Sequence, residues 1–159
     1  ILLNRPLQEA AQANLDYVGA PQFSEEDHAF ARELQETLGI EALGYPTEVQ
    51  PLADYVLPTE GGSTDVAEVT RLAPGVSFYV ATAGLNLPWH RWATSASHGR
   101  PGAARGASVA AKVMAMTAMD FLQDEDLRER AQAEFDAKMA EQPYVSPIPT
   151  VQKPLLPDG

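Results

Sequence analysis

Val76-Ser77-Phe78-Tyr79-Val80-Ala81-Thr82-Ala83 is the stretch on which the fold class turns. β-branched and aromatic side chains crowd it, as in a strand. Apolar residues fall on both alternating faces, which suits a strand covered on both sides. Pro74-Gly75 and Gly84 bound it with turn formers. One strand cannot form a sheet, so its partners must come from elsewhere in a larger polypeptide or from another copy. The expectation is therefore an α/β fold, with this strand in a central sheet flanked by helices.

Outward from the strand the chain reads as mostly helical. Residues 7–18 carry Leu7, Ala10, Ala11, Leu15 and Val18 at helical spacing, with Asn4 to cap the start and Gly19 to stop it. Ser24 opens a second helix whose first turn holds Glu25, Glu26 and Asp27, where the macrodipole favours acid. Its apolar stripe is Phe30, Leu34 and Leu38, and Gly39 ends it. Between 40 and 62, Pro46, Pro51 and Pro58 break the pattern into a surface excursion, with a short strand possible at 55–57. A short helical stretch follows at 66–72. Beyond the strand, 84–100 reads as a long loop. The most apolar helix is 104–122, expected to be buried because apolar residues occur nearly all round it. Asp124 caps a last helix to about Glu141, with Leu127, Ala131, Phe135 and Met139 as its stripe. A proline-rich extended tail completes the division into 1–142 and 143–159.

The 159 residues suffice for one domain with a core, and 45% hydrophobic content argues against disorder. Eleven basic against 22 acidic residues give a formal charge of −11. Such a surface suits neither nucleic acid, whose binding needs Lys and Arg on phosphates, nor an anionic membrane. With no cysteine, disulfides and Cys-based zinc sites are excluded. No apolar run approaches a membrane span and no signal segment opens the chain; a cytoplasmic location is the expectation as the commoner case for an acidic soluble protein. The first residue is Ile1, which reads as a trimmed, processed or partial chain.

His90 is the leading candidate for chemistry. It follows the strand in Leu87-Pro88-Trp89-His90-Arg91-Trp92, a loop stiffened by proline and walled by tryptophans. Ligands gather beyond strand ends in α/β sheets, and imidazole is a common zinc ligand. The competing reading is a surface histidine packed between aromatics. His98 and Arg100, in Ser97-His98-Gly99-Arg100, could hold an anionic substrate, with solvated loop residues as the alternative. His28 reads as a surface residue, and the Glu25-Glu26 pair needs no role beyond its helix turn. Gly62-Ser63-Thr64-Asp65 is either a capped helix start or an anion-holding turn. A catalytic zinc usually takes three protein ligands. Three scattered histidines without His-x-Asp or HExxH do not make a complete site.

The order Val18-Gly19-Ala20-Pro21-Gln22-Phe23-Ser24-Glu25-Glu26, Gly62-Ser63-Thr64-Asp65-Val66, Ala81-Thr82-Ala83 and Pro88-Trp89-His90 resembles one family. Ala110-Ala111-Lys112-Val113 and Asp124-Glu125-Asp126-Leu127 continue it. The likeness is to the aminobenzoyl-glutamate utilisation protein B branch of the zinc aminoacylase/carboxypeptidase family, in the C-terminal part of its catalytic domain. The resemblance implies an α/β catalytic domain with a central sheet, and a lid or dimerisation domain that lies outside these residues and makes a homodimer. It implies hydrolysis of the amide bond of N-acyl amino acids or short peptides, with two zinc or manganese ions activating water. His90 matches the family's late metal-ligating histidine. The remaining ligands and the catalytic glutamate belong to the family's N-terminal part, so no catalytic residue is expected here and the chain alone should be inactive. Two other classes stay open. One is a helical interaction module using Trp89 and Trp92, the other a metal-free homologue.

Overall fold

A computed structural model describes residues 1–53, 64–149 and 151–152. Six helices follow in chain order: α1 Arg5–Val18, α2 Glu25–Thr37, α3 Val66–Val69, α4 Trp92–His98, α5 Pro101–Gln123 and α6 Glu125–Glu141. No strand occurs among the described residues. The α/β expectation is thereby corrected. Residues 76–81 have no regular secondary structure and 82–83 form a bend, and no second strand lies alongside to complete a ladder among the described residues. They are only half-buried, and Tyr79 is 84% exposed rather than covered. Strand-like composition expresses packing on a pleated surface, and without a neighbouring strand it cannot produce one.

The segment packs instead against a helix. An added Cβ at Gly106 of α5 would lie 2.0 Å from the Ala81 carbonyl oxygen, so the crossing requires glycine.

α1, α5 and α6 form the larger layer. Asn4 accepts the Leu7 N–H at 3.3 Å as cap, while its side-chain amide donates to the Ala131 carbonyl at 2.8 Å, joining α1 to α6. Leu7, Leu127 and Ala131 bury together, with Ala10, Val76 and Phe121 around them. Leu→Ala at such a site typically costs about 2–5 kcal/mol. Between α1 and α5 the contact is polar: Asn14 Nδ2 donates to Thr117 Oγ1 at 3.1 Å and to Asp120 Oδ2 at 2.7 Å. Asp124 ends α5 and caps α6 through the Leu127 N–H, so the two form a tight hairpin. Lys138 pairs with Glu134 one turn away, as the spacing suggests.

A second cluster unites Leu34 of α2, Leu87 and Ala93, flanked by Phe30, Leu38, Ile40, Ala83 and Ala96. Three further expectations change. The 84–100 stretch contains α4 rather than loop alone. α5 is not buried all round: Val113 and Thr117 face inward, whereas Met114, Met119 and Leu122 are exposed. α5 also begins at Pro101, because proline suits a first helical turn. The candidate strand at 55–57 and residues Gly62 and Ser63 lie outside the described residues, as do residue 150 and the tail from 153 onward. Among the described residues, no helix is long and apolar enough to cross a membrane.

Candidate functional site

Leu87, buried against Leu34 and Ala93, anchors the tryptophan loop from below. Thr94 Oγ1 closes it by donating to the Pro88 carbonyl at 2.8 Å. Above this anchor the chain turns sharply, and His90 sits at φ 58°, in the left-handed region. That conformation costs a residue with a Cβ about 1–2 kcal/mol. His90 is exposed, and so are its neighbours Trp89 at 68% and Trp92 at 56%. His90 and both tryptophans are thus open to solvent, with His90 on a backbone held in an unfavourable region.

α4 separates the next candidates by face. Ser97 turns fully inward and donates to the Ala93 carbonyl at 3.0 Å, while His98 turns outward. His98 Nε2 meets Thr82 Oγ1 at 3.1 Å. Together with Gly99, Arg100, Ala103, Ala104 and Ala107, these two line an open cavity of about 440 Å³. His98 and Arg100 are thus brought together, and His90 does not line this cavity. Sequence alone does not single out Thr82, since its role depends on the 76–83 segment lying beside α4. Arg100 donates to Glu26 Oε1 at 3.0 Å and lies 4.7 Å over the Phe30 ring.

α2 holds this corner in place. Ser24 and Asp27 form a reciprocal cap: the Ser24 hydroxyl accepts the Asp27 N–H, and Asp27 Oδ2 accepts from the Ser24 N–H and hydroxyl at 2.8 Å each. Arg105 donates to the same oxygen at 3.0 Å. Burial alone would raise the Asp27 pKa, but the Ser24 hydrogen bonds and the Arg105 charge outweigh it and hold the carboxyl below its ordinary value. The first turn of α2, explained from sequence by the macrodipole, therefore also grips α5. The spacing Ser24-x-x-Asp27 was the available signal.

His28 is another correction, being half-buried rather than a surface residue. Its ring stands edge-on to Phe23 and Tyr45, and its Nδ1 accepts the Tyr45 N–H at 3.3 Å. Tyr45 stacks on Phe23 with centroids 3.9 Å apart. Burial pushes the Tyr45 phenol above its usual pKa, with the Asp27 charge adding to the effect.

Among the described residues, no three His, Cys, Asp or Glu side chains gather as a metal site. The donors present do not fit a complete zinc centre, which usually needs three or four. His90 is one exposed imidazole outside any such group among the described residues.

Comparison with known proteins finds a relative. The chain is 31% identical to a subunit of the p-aminobenzoyl-glutamate hydrolase of Escherichia coli (strain K12), in an alignment of 176 residues covering 93% of this chain and 36% of that protein. The resemblance carried by the motifs is thus shown by this match, and the chain spans only about a third of the relative's length. No family model matches the chain. No solved structure matches it either.

Proposed function

We propose that this chain is one part of an amidohydrolase that cleaves the amide bond of N-acyl amino acids, such as aminobenzoyl-glutamate, or of short peptides. The observation carrying this reading is the 31% identity, along 93% of the chain, to a protein named as part of a hydrolase of that substrate. In this reading the enzyme is cytoplasmic and uses water activated by zinc or manganese. His90 supplies one metal donor, while the other donors and the general base come from polypeptide beyond these residues. A strained, exposed imidazole supports that role, since residues held in costly backbone conformations cluster at functional sites. His98 and Arg100 hold the substrate carboxylate in their shared cavity, with Arg100 exchanging Glu26 for substrate.

Hydrolysis of p-aminobenzoyl-glutamate by the assembled enzyme tests the reading. Arg100→Ala should raise KM at least tenfold with a smaller change in kcat, and the isolated chain should show no turnover. Turnover by the isolated chain, or an unchanged KM in the variant, would overturn it.

The exposure of Trp89 and Trp92 favours a second reading, a non-catalytic interaction module. In that case replacing both tryptophans with alanine would abolish partner binding, with no hydrolytic activity to lose.

A further inference from the structure

Glu25, Glu26 and Asp27 follow one another at the start of α2, and each faces a different arginine: Arg32, Arg100 and Arg105 respectively. Of these arginines, Arg100 alone lines the open cavity of about 440 Å³ that also holds His98 and Thr82. The Glu26 side chain is 83% exposed and that of Arg100 41%, so water screens their 3.0 Å bond. Such a pair adds little to stability. Asp27 differs, because its carboxylate is buried and also caps the helix. Stability therefore accounts for Asp27 but not for Glu26.

Phe30 lies one turn beyond Glu26, on the same face of α2. It is half-buried against the Leu34, Leu87 and Ala93 cluster, which fixes its ring. The Arg100 guanidinium carbon stands 4.7 Å above the ring centroid, within range of cation–π attraction. One cation thus has two holders of different kind. The ring leaves the guanidinium N–H donors available, whereas the Glu26 carboxylate takes up a donor that an incoming anion would use.

We infer that Glu26 and Phe30 set the anion affinity of this cavity in opposite directions. Glu26 competes with the ligand carboxylate for Arg100, and Phe30 is a positioning residue that keeps the guanidinium in the cavity wall while the two exchange. This competition rests on the proposed reading, in which Arg100 holds the substrate carboxylate. Its consequence is selectivity. The Glu26 charge offsets that of Arg100, so a small free anion such as inorganic phosphate finds little net attraction there. A carboxylate tethered to an amide already bound elsewhere competes at a higher effective concentration. The cavity therefore selects carboxylates carried on a larger substrate, as in an N-acyl amino acid.

Steady-state hydrolysis of p-aminobenzoyl-glutamate by the assembled enzyme, at low and high salt, is the test. Glu26→Gln should lower KM about two- to fivefold with a smaller change in kcat. In that variant KM should climb more steeply with salt, because the Arg100 charge is no longer offset. Inorganic phosphate should inhibit it more strongly than the wild type. Phe30→Leu keeps an apolar side chain on the cluster but removes the ring face, so KM should rise about two- to fivefold. Phe30→Tyr should restore it, which a merely structural loss of packing would not predict. An unchanged KM, salt dependence and phosphate inhibition in Glu26→Gln, or a Phe30→Tyr variant no better than Phe30→Leu, would overturn the inference. If Arg100→Ala raises KM while Glu26→Gln changes nothing, the competition alone falls. An Arg100→Ala variant with unchanged KM would sink the carboxylate-binding reading and the competition with it.

Discussion

Arg105 Nε donates to Asp27 Oδ2 at 3.0 Å, bridging 78 residues of sequence to tie the start of α5 to the first turn of α2. The Arg105 side chain is 47% exposed and that of Asp27 only 7%. The two ends of the bond therefore differ in worth. An ion pair open to water on one side adds about 0–1 kcal/mol, whereas removing a capping side chain costs about 0.5–2 kcal/mol. Asp27→Ala should thus destabilise by about 1–3 kcal/mol and Arg105→Ala by less than about 1 kcal/mol, with urea denaturation as the measurement. Equal losses would show the ion pair, not the cap, to be the main contributor.

The same carboxylate makes stability depend on acid. Its folded pKa is lowered from the ordinary 3.8, so near that pH the unfolded chain binds more protons. The contribution is present in full above the unfolded value and disappears as pH falls through the folded one. Denaturation midpoints between pH 5 and 2 should drop less for Asp27→Asn than for the parent chain. Parallel curves would exclude this group as a source of the acid sensitivity.

Gly106→Ala drives a methyl into the Ala81 carbonyl, which is backbone and cannot rotate away. The 76–83 segment must lift from α5, at a cost of about 1–3 kcal/mol or more. Helix propensity alone would have made the change stabilising by about 1 kcal/mol. The sign of the measured shift in Tm therefore decides between them.

Gln35 is fully buried, accepting from the Gly44 N–H at 2.8 Å and donating to the Leu85 and Gly44 carbonyls at 2.7 and 3.3 Å. Gln35→Leu keeps the bulk but strands the Gly44 N–H and the Leu85 carbonyl, while the Gly44 carbonyl keeps the Leu85 N–H, for a loss of about 2–4 kcal/mol. Hydrogen exchange at the Gly44 amide should accelerate with it. An unchanged rate would mean that the turn is held by other contacts.

Local signals made the helices legible. Asn4, Ser24 and Asp124 cap as their side-chain chemistry requires, and Leu7, Leu34 and Leu127 bury as their spacing predicts. What failed depended on partners distant in sequence. Residues 76–83 have strand composition, but pairing is a non-local property that composition cannot supply. The apolar content of α5 implied burial, yet the described residues cover one side of it only. Within the candidate site, His98 and Arg100 could be named from sequence, whereas Thr82, Phe30 and Asp27 join that corner through the fold. Gln35 gave no advance signal, since a glutamine within a polar helix resembles a solvated one.

The role of His90 as a metal donor is decided by the metal content of the assembled enzyme, wild type against His90→Gly. Glycine accepts the φ of 58° without strain, so folding should be unchanged or improved by about 0.5–1 kcal/mol while the imidazole is lost. Elemental analysis should find one metal position emptied in the variant, with the protein still folded. A folded variant that retains its full metal complement would remove His90 from the metal centre.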